Sequence, residues 1–217
     1  MRIMSTPRIR TSTTDPIRVD WLPAEYTAPG RVGLTFAPGK TCAAMRPGQA
    51  WNRDLGKDLR DLRDIERVNV LVTLLEDHEL DAMKIPGLFC GARKLGMIVR
   101  RLPIRDVDIP REPRRLLWLI EKIHEHIEAG ENVAIHCAGG LGRTGVVAGC
   151  FLVSSGLSSS LAQRVLFETR GPRCPETQRQ ANFIRSFEMF REERKKRSAR
   201  VIPKDSADAA PAGDSLY

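Results

Sequence analysis

No stretch of this chain stays apolar for anything near the about 20 residues that a membrane-crossing helix needs. The first residues, MRIMSTPRIRTSTTDPIR, are basic but lack the apolar run of a secretory signal. From these two absences we expect a soluble, cytoplasmic protein without membrane partners. Cysteine is too sparse and scattered to build a framework. Cys42, Cys90, Cys137, Cys150 and Cys174 are odd in number, with no CxxC pair and no Cys/His spacing suited to zinc. A disulfide scaffold and a zinc domain are excluded, and neither metal nor cofactor is expected. There is also no internal repeat, which removes the solenoid architectures.

What is present is a chain of 217 residues, 41% hydrophobic, long enough for one α/β domain with a sizeable core. The formal net charge of +8 divides into +2 from residues 1–20, +2 from 191–217 and +4 from the rest. An excess spread this thinly suits an anionic substrate but does not call for nucleic acid. The basic run REERKKRSAR (191–200) reads as the solvated end of a helix, where cations oppose the negative end of the dipole.

Residues 1–20 read as a flexible lead, 21–196 as the domain and 197–217 as a tail too poor in apolar residues to pack. Within the domain, APGRVGLTFAPGK (28–40) suggests short strands and turns. Leu55, Leu59, Leu62 and Ile65 recur at helical spacing in 51–69. VLVTLL (70–75) is a buried strand, a second helix falls within 80–95, and MIVRRLPI (97–104) is the next strand. EPRRLLWLIEKIHEHIEAG (112–130) is the clearest helix, with Pro113 near its start, Gly130 past its end and a stripe of Leu116, Leu117, Ile120, Ile123 and Ile127. A strand at 132–136, a buried helix reaching Val153, and helices at about 158–169 and 176–196 complete the pattern. Strands alternating with helices predict an α/β single domain: a central, mostly parallel sheet flanked by helices on both faces.

One stretch concentrates the chemistry. VAIHCAGGLGRTGVV (133–147) places His136, Cys137 and Arg143 among Gly139, Gly140, Gly142 and Gly145, between a strand and a helix. A glycine-rich turn there aims backbone N–H groups into one concavity at the positive end of the helix, which binds an anion. Arg143 adds a planar fork able to hold two phosphate oxygens. Cys137, at the entry to these donors, would be stabilised as a thiolate, so nucleophile and oxyanion cradle come from one turn. Singly, Cys137 reads as an inert core thiol and Arg143 as a surface ion pair; their joint spacing favours catalysis.

The motif HCAGGLGRTG resembles the HCxxGxxR(S/T)G signature of the cysteine-dependent protein tyrosine and dual-specificity phosphatases. RVGLTFAPGK, LVTLLEDHEL, LPIRD and ETQRQANFIRSFE extend the likeness over roughly residues 21–190, toward the group related to the cyclin-dependent-kinase-inhibitor-associated phosphatase. The resemblance implies a dual-specificity-phosphatase-like fold and a phosphocysteine intermediate. It implies Cys137 as nucleophile, and phosphate held by Arg143 and the backbone of Ala138, Gly139, Gly140, Leu141 and Gly142. It also implies His136 holding the loop by hydrogen bonds, Thr144 donating to the sulfur, and an aspartate as proton donor. In LPIRDVDIP (102–110) both Asp106 and Asp108 offer themselves, with Asp106 at the family's spacing. Gln180, in CPETQRQ, matches a water-positioning glutamine, while Glu176 departs from that pattern. Cys90 and Cys150 read as core residues.

Spacing alone indicates only a phosphate ester; the resemblance implies a phosphatase acting on phosphotyrosine in a phosphorylated protein substrate, with phosphoserine and phosphothreonine left open. Phosphoinositides and RNA 5′-phosphates are the rival substrates. The absence of lysine between Cys137 and Arg143 counts against the first. A silent phosphopeptide-binding module is the rival class, opposed by the intact Cys137, Arg143 and Asp106.

Overall fold

A computed structural model describes residues 8–43 and 49–201. Its main sheet has five strands: β2 (Asp20–Trp21), β3 (Arg31–Phe36), β6 (Val70–Thr73), β7 (Ile98–Arg101) and β8 (Asn132–Cys137), in the order β2-β3-β8-β6-β7. Only β2 is antiparallel to its neighbour. β8 lies at the centre, pairing Phe36 with Cys137 on one side and Thr73 with His136 on the other. A strand buried on both faces must be apolar almost throughout, which explains NVAIHC.

Side chains alternate across this sheet and feed two cores. Val133 and Ile135 join Val70, Val72 and Leu34 under α4 (Pro113–Glu128), α5 (Gly142–Ser154), α6 (Ser159–Arg170) and α7 (Gln178–Val201). Ala134 and Leu71 face the other way, toward α1 (Leu55–Arg60), α2 (Asp77–Ala82) and α3 (Leu88–Lys94). Every residue of α5 except Ser154 is buried, so this helix has no polar face to present. In α4 the buried stripe takes Leu119 rather than Leu117. No helix among the described residues is long and apolar enough to cross a membrane.

The structure departs from the sequence reading in several further places. Residues 8–20 are not a flexible lead as far as they are described: β1 (Arg8–Arg10) pairs with β5 (Gln49–Asn52), and Ile17 and Val19 enter the core. β5 also pairs with β4 (Thr41–Ala43), giving a small second sheet. Trp51 and Asn52, expected to be helical, therefore lie in a strand. Asp54 then caps α1, its side chain accepting from Lys57 N at 2.6 Å. A wider π-type turn over Asp61–Ile65 shifts the helical register, and Ile65, expected in the stripe, is 70% exposed. The helix expected within 80–95 is two, α2 and α3, because Lys84 (φ 60°) and Pro86 interrupt it. α7 continues to Val201, so the start of the expected tail is helical; 202–217 fall outside the described residues, as do 1–7.

Candidate active site

β8 delivers Cys137 to the C-terminal edge of the sheet, where it is 4% exposed. The chain then turns through residues 138–141 into α5. Gly140 adopts φ +70°, and a Cβ there would lie 2.3 Å from the Thr35 carbonyl oxygen, so both conformation and space demand glycine. Its N–H donates to Cys137 Sγ at 3.3 Å. The loop carbonyls are held from outside. Lys40 Nζ donates to Ala138 O at 3.0 Å, Arg170 Nη2 to Gly139 O at 3.1 Å and Arg170 Nε to Gly140 O at 3.0 Å. Gly145 N and Cys174 Sγ both reach Leu141 O, at 2.9 and 3.4 Å. Across a planar trans peptide, C=O and the following N–H point in opposite directions. Carbonyls held outward thus turn the N–H groups of Gly139, Gly140, Leu141 and Gly142 toward the inside of the loop.

Arg143, on the first turn of α5, is 1% exposed. Its Nη1 donates to Glu79 Oε2 at 2.6 Å and to Ile104 O at 2.9 Å; its Nη2 donates to Glu79 Oε1 at 2.8 Å and lies 2.8 Å from Asp106 Oδ1. Nε is buried without a partner among the described residues. Burial works to raise the Glu79 carboxyl, but the Arg143 fork, the Glu76 backbone and the guanidinium charge outweigh it and hold it below the usual carboxylate range. Glu79 was not singled out in the sequence. Its signal is faint: EDHEL follows the buried strand β6, and the Thr73–His136 pairing places that strand's end beside the loop.

The two aspartates of LPIRDVDIP part company at Val107, whose φ of 61° is rare for a β-branched residue. Asp106 keeps a half-exposed side chain and pairs with Arg143. Asp108 is 7% exposed and fully engaged: Ile109 N donates to it at 2.9 Å, Arg111 Nη2 at 3.2 Å, and Arg179 Nη1 lies 2.8 Å away. The Ile109 N–H leads in holding this carboxyl below its ordinary range, against the effect of burial and with help from Arg111 and Arg179. Gln180 is fully buried. Its Oε1 accepts from Glu176 N and Thr177 N at 3.2 and 3.1 Å, and its Nε2 donates to Asp108 O at 3.1 Å. Its amide therefore ties the start of α7 to the aspartate-bearing loop rather than standing free for water.

His136 is also fully buried, but its ring does not make the hydrogen bonds expected of it: neither nitrogen has a partner among the described residues. Burial pushes its pKa down to about 4, against a raising effect of the adjacent Cys137 backbone, so the ring is neutral near pH 7 and is held by packing. The Thr144 hydroxyl is likewise buried and unpartnered, and makes no bond to the sulfur here. Cys150 is a core residue as expected, but Cys90 is exposed. Cys174, against the loop, has its thiol pushed up to about 12 by burial. Among the described residues no group of three or more His, Cys, Asp or Glu is placed to hold a metal ion.

A family model described as "polymorphic toxin system, DSP-PTPase phosphatase" matches residues 45–157, just over half of the chain. The chain belongs to this family of phosphatases. The match covers the strand, loop and helix that carry Cys137 and Arg143, and with it the chain is a cysteine-dependent phosphatase. Human cyclin-dependent kinase inhibitor 3 is 27% identical over 194 residues, 88% of this chain and 85% of that protein. Among solved structures, kinase-associated phosphatase with its catalytic-site cysteine replaced by serine superposes with a TM-score of 0.72. It is 24% identical and covers 82% of this chain and 96% of its own, which shows the shared fold. Tk-PTP in its active form is 31% identical, with a TM-score of 0.58, covering 74% of this chain and 92% of its own.

Proposed function

We propose that this phosphatase hydrolyses phosphotyrosine in a phosphorylated protein, through a phosphocysteine intermediate, with Cys137 as nucleophile and Asp106 as proton donor. The observation that carries the reading is the state of Arg143. Glu79 fixes its plane through Nη1 and Nη2, Nε is buried without a partner among the described residues, and the other side of Nη2 is covered by the half-exposed Asp106. A phosphoryl group entering the loop meets Nε and the inward N–H groups. It takes over Nη2 as the half-exposed Asp106 swings away.

Cys137 Sγ then attacks phosphorus in line. The S–P bond forms as the ester P–O bond breaks, and Asp106 transfers its proton to the departing oxygen. In the second half, water attacks phosphorus, its proton passes to the Asp106 carboxylate, and the thiolate leaves. The Thr144 hydroxyl, unpartnered and buried beside the loop, donates to the departing sulfur. Asp108 is a poor donor because three groups hold it ionised and in place. Gln180 acts by tying the acid loop to α7. Lys40 touches the loop from its outer side at Ala138 O, and no lysine stands between Cys137 and Arg143, which counts against an inositol phosphate.

The test is hydrolysis of phosphotyrosine peptides by purified protein, with phosphoserine peptides, inositol phosphates and triphosphate-ended RNA as rivals. Phosphotyrosine should be the preferred substrate, and Cys137→Ser should abolish turnover while retaining phosphate affinity. Turnover surviving in Cys137→Ser would sink the mechanism. Preference for one of the rival esters would overturn the substrate assignment alone.

A further inference from the structure

Three consecutive carbonyls of the phosphate loop accept from two cations that the reaction itself does not use, and Ala138 O also takes a longer bond from Ala37 N at 3.4 Å. Lys40, in the turn after β3, is 6% exposed. It stands 4.1 Å from the centre of the Trp51 ring and 4.8 Å from that of Phe36, which fix its direction of approach to Ala138 O. Arg170 is the last residue of α6. It spans Gly139 O and Gly140 O with one guanidinium, and is aimed there by an ion pair with Asp20 on β2. Lys40 reaches the loop from the turn after β3, and Arg170 reaches it from the end of α6.

Free backbone carbonyls so near an anion would turn inward or sample both directions, and each inward carbonyl would replace a donor by an acceptor. We propose that Lys40 and Arg170 are positioning residues of the phosphate loop: by holding the carbonyls of Ala138, Gly139 and Gly140 outward, they keep the N–H groups inward for an anion. This rests on the phosphatase reading above. It adds that the anion cradle depends on two residues that touch neither substrate nor nucleophile.

The test compares alkylation of Cys137 by iodoacetate, an anion, and iodoacetamide, its neutral analogue, at one pH. The ratio of the two rates cancels the intrinsic reactivity of the sulfur and reports the cradle. Inhibition by vanadate gives a second measure. The parent should favour iodoacetate and bind vanadate. Lys40→Met and Arg170→Met should each lower the ratio and weaken vanadate by about tenfold, the scale of a lost charge-assisted hydrogen bond. Lys40→Arg should recover most of the loss, whereas Arg170→Lys, which can reach one carbonyl but not two, should recover only part. Arg164→Gln removes a charge from the exposed side of α6 and should match the parent.

Folded Lys40 and Arg170 variants with the parent's ratio and vanadate affinity would overturn the proposal. If a methionine variant does not fold, as judged by circular dichroism, the charge-retaining Arg170→Lys decides the matter by the same ratio. A parent that neither binds vanadate nor favours iodoacetate would instead overturn the phosphatase reading on which this rests.

Discussion

The loop from Cys137 to Arg143 and the loop from Ile104 to Pro110 meet at one guanidinium, but only the first is fastened along its length. In the phosphate loop every carbonyl from Ala138 to Leu141 has a donor, Gly140 N–H bonds the Cys137 sulfur, and Arg143 is clamped by Glu79. In the acid loop the fastening lies to either side of the working residue. Ile104 O accepts from Arg143 and Asp108 is gripped on three sides, while Asp106 between them keeps one ion pair and half its surface in solvent. A binding surface for a fixed, highly charged group benefits from rigidity. In the proposed mechanism Asp106 must first release Arg143 and then face the leaving group, which a short free span between two anchors allows. Val107, with its positive φ, is the residue that lets the two aspartates flanking it face such different surroundings.

The sharpest way to break this contrast is to remove the one group on which the chemistry turns. Cys137→Ser should lower turnover on phosphotyrosine peptide by about 10⁴-fold or more, while isothermal titration still detects vanadate or phosphate. Next in size, Asp106→Asn should lower kcat on phosphotyrosine by about 10²- to 10⁴-fold. It should lose far less on an aryl phosphate whose leaving group is already a stable anion, and it should flatten the high-pH limb of kcat. Asp108→Asn should preserve that limb and instead lower the melting temperature by a few degrees, about 1 kcal/mol for a weakened charged hydrogen-bond set. If Asp108→Asn flattens the limb and Asp106→Asn does not, the anchor and the donor have been interchanged.

A smaller effect sharpens the rigid side. Glu79→Gln keeps the shape but replaces a carboxylate by an amide, so one of its two contacts with Arg143 sets donor against donor. A drop of about tenfold in kcat/KM is expected from this weakened clamp, with vanadate affinity falling in step. Unchanged vanadate affinity would show that the loop orients Arg143 without Glu79.

The last effect is read in stability, away from the chemistry. His136 has a folded pKa of about 4 against about 6.5 when unfolded, so the unfolded chain binds more protons between these values. Above pH 6.5 neither state is protonated there and stability is unaffected. As pH falls from 6.5 to 4, stability should be lost progressively, by up to about 3 kcal/mol from this residue, and the loss should level off below pH 4. His124, whose pKa burial also lowers, acts in the same direction. Melting temperatures measured from pH 7 to 4 should fall less steeply in His136→Asn than in the parent; an equal slope would remove His136 from the account.

What the sequence revealed of the site follows from how locally each part is encoded. Cys137, Gly140 and Arg143 sit within one strand–loop–helix turn, where backbone geometry fixes their relation, and their spacing alone pointed to an anion site. The surroundings of Asp106 and Asp108 were not legible, because the residue pattern offered both and the difference between them arises from Arg111 and Arg179 closing on Asp108. Glu79, Lys40 and Arg170 were not legible. Their partners lie 64, 98 and 30–31 residues away, and nothing in a charged residue's neighbours says which distant carbonyl or guanidinium it will meet. The same divide holds for the fold. The periodicity in α4 and the apolar run of β8 announced themselves, whereas β1 and β5 exist only by pairing with each other, and Trp51 was drawn from an expected helix into that pairing.

The Glu79 clamp has one more consequence. An arginine side chain normally surrenders considerable rotational freedom when it grasps a ligand. Here that freedom is already gone when the chain has folded, so an arriving oxyanion orders almost nothing. The advantage does not depend on what is attached to the phosphorus. Inorganic phosphate, the product, profits from it as fully as the substrate does, and so do sulfate and tungstate. Turnover should therefore slow as phosphate accumulates, and the balance between free phosphate and the phosphate ester would set the working rate of the enzyme.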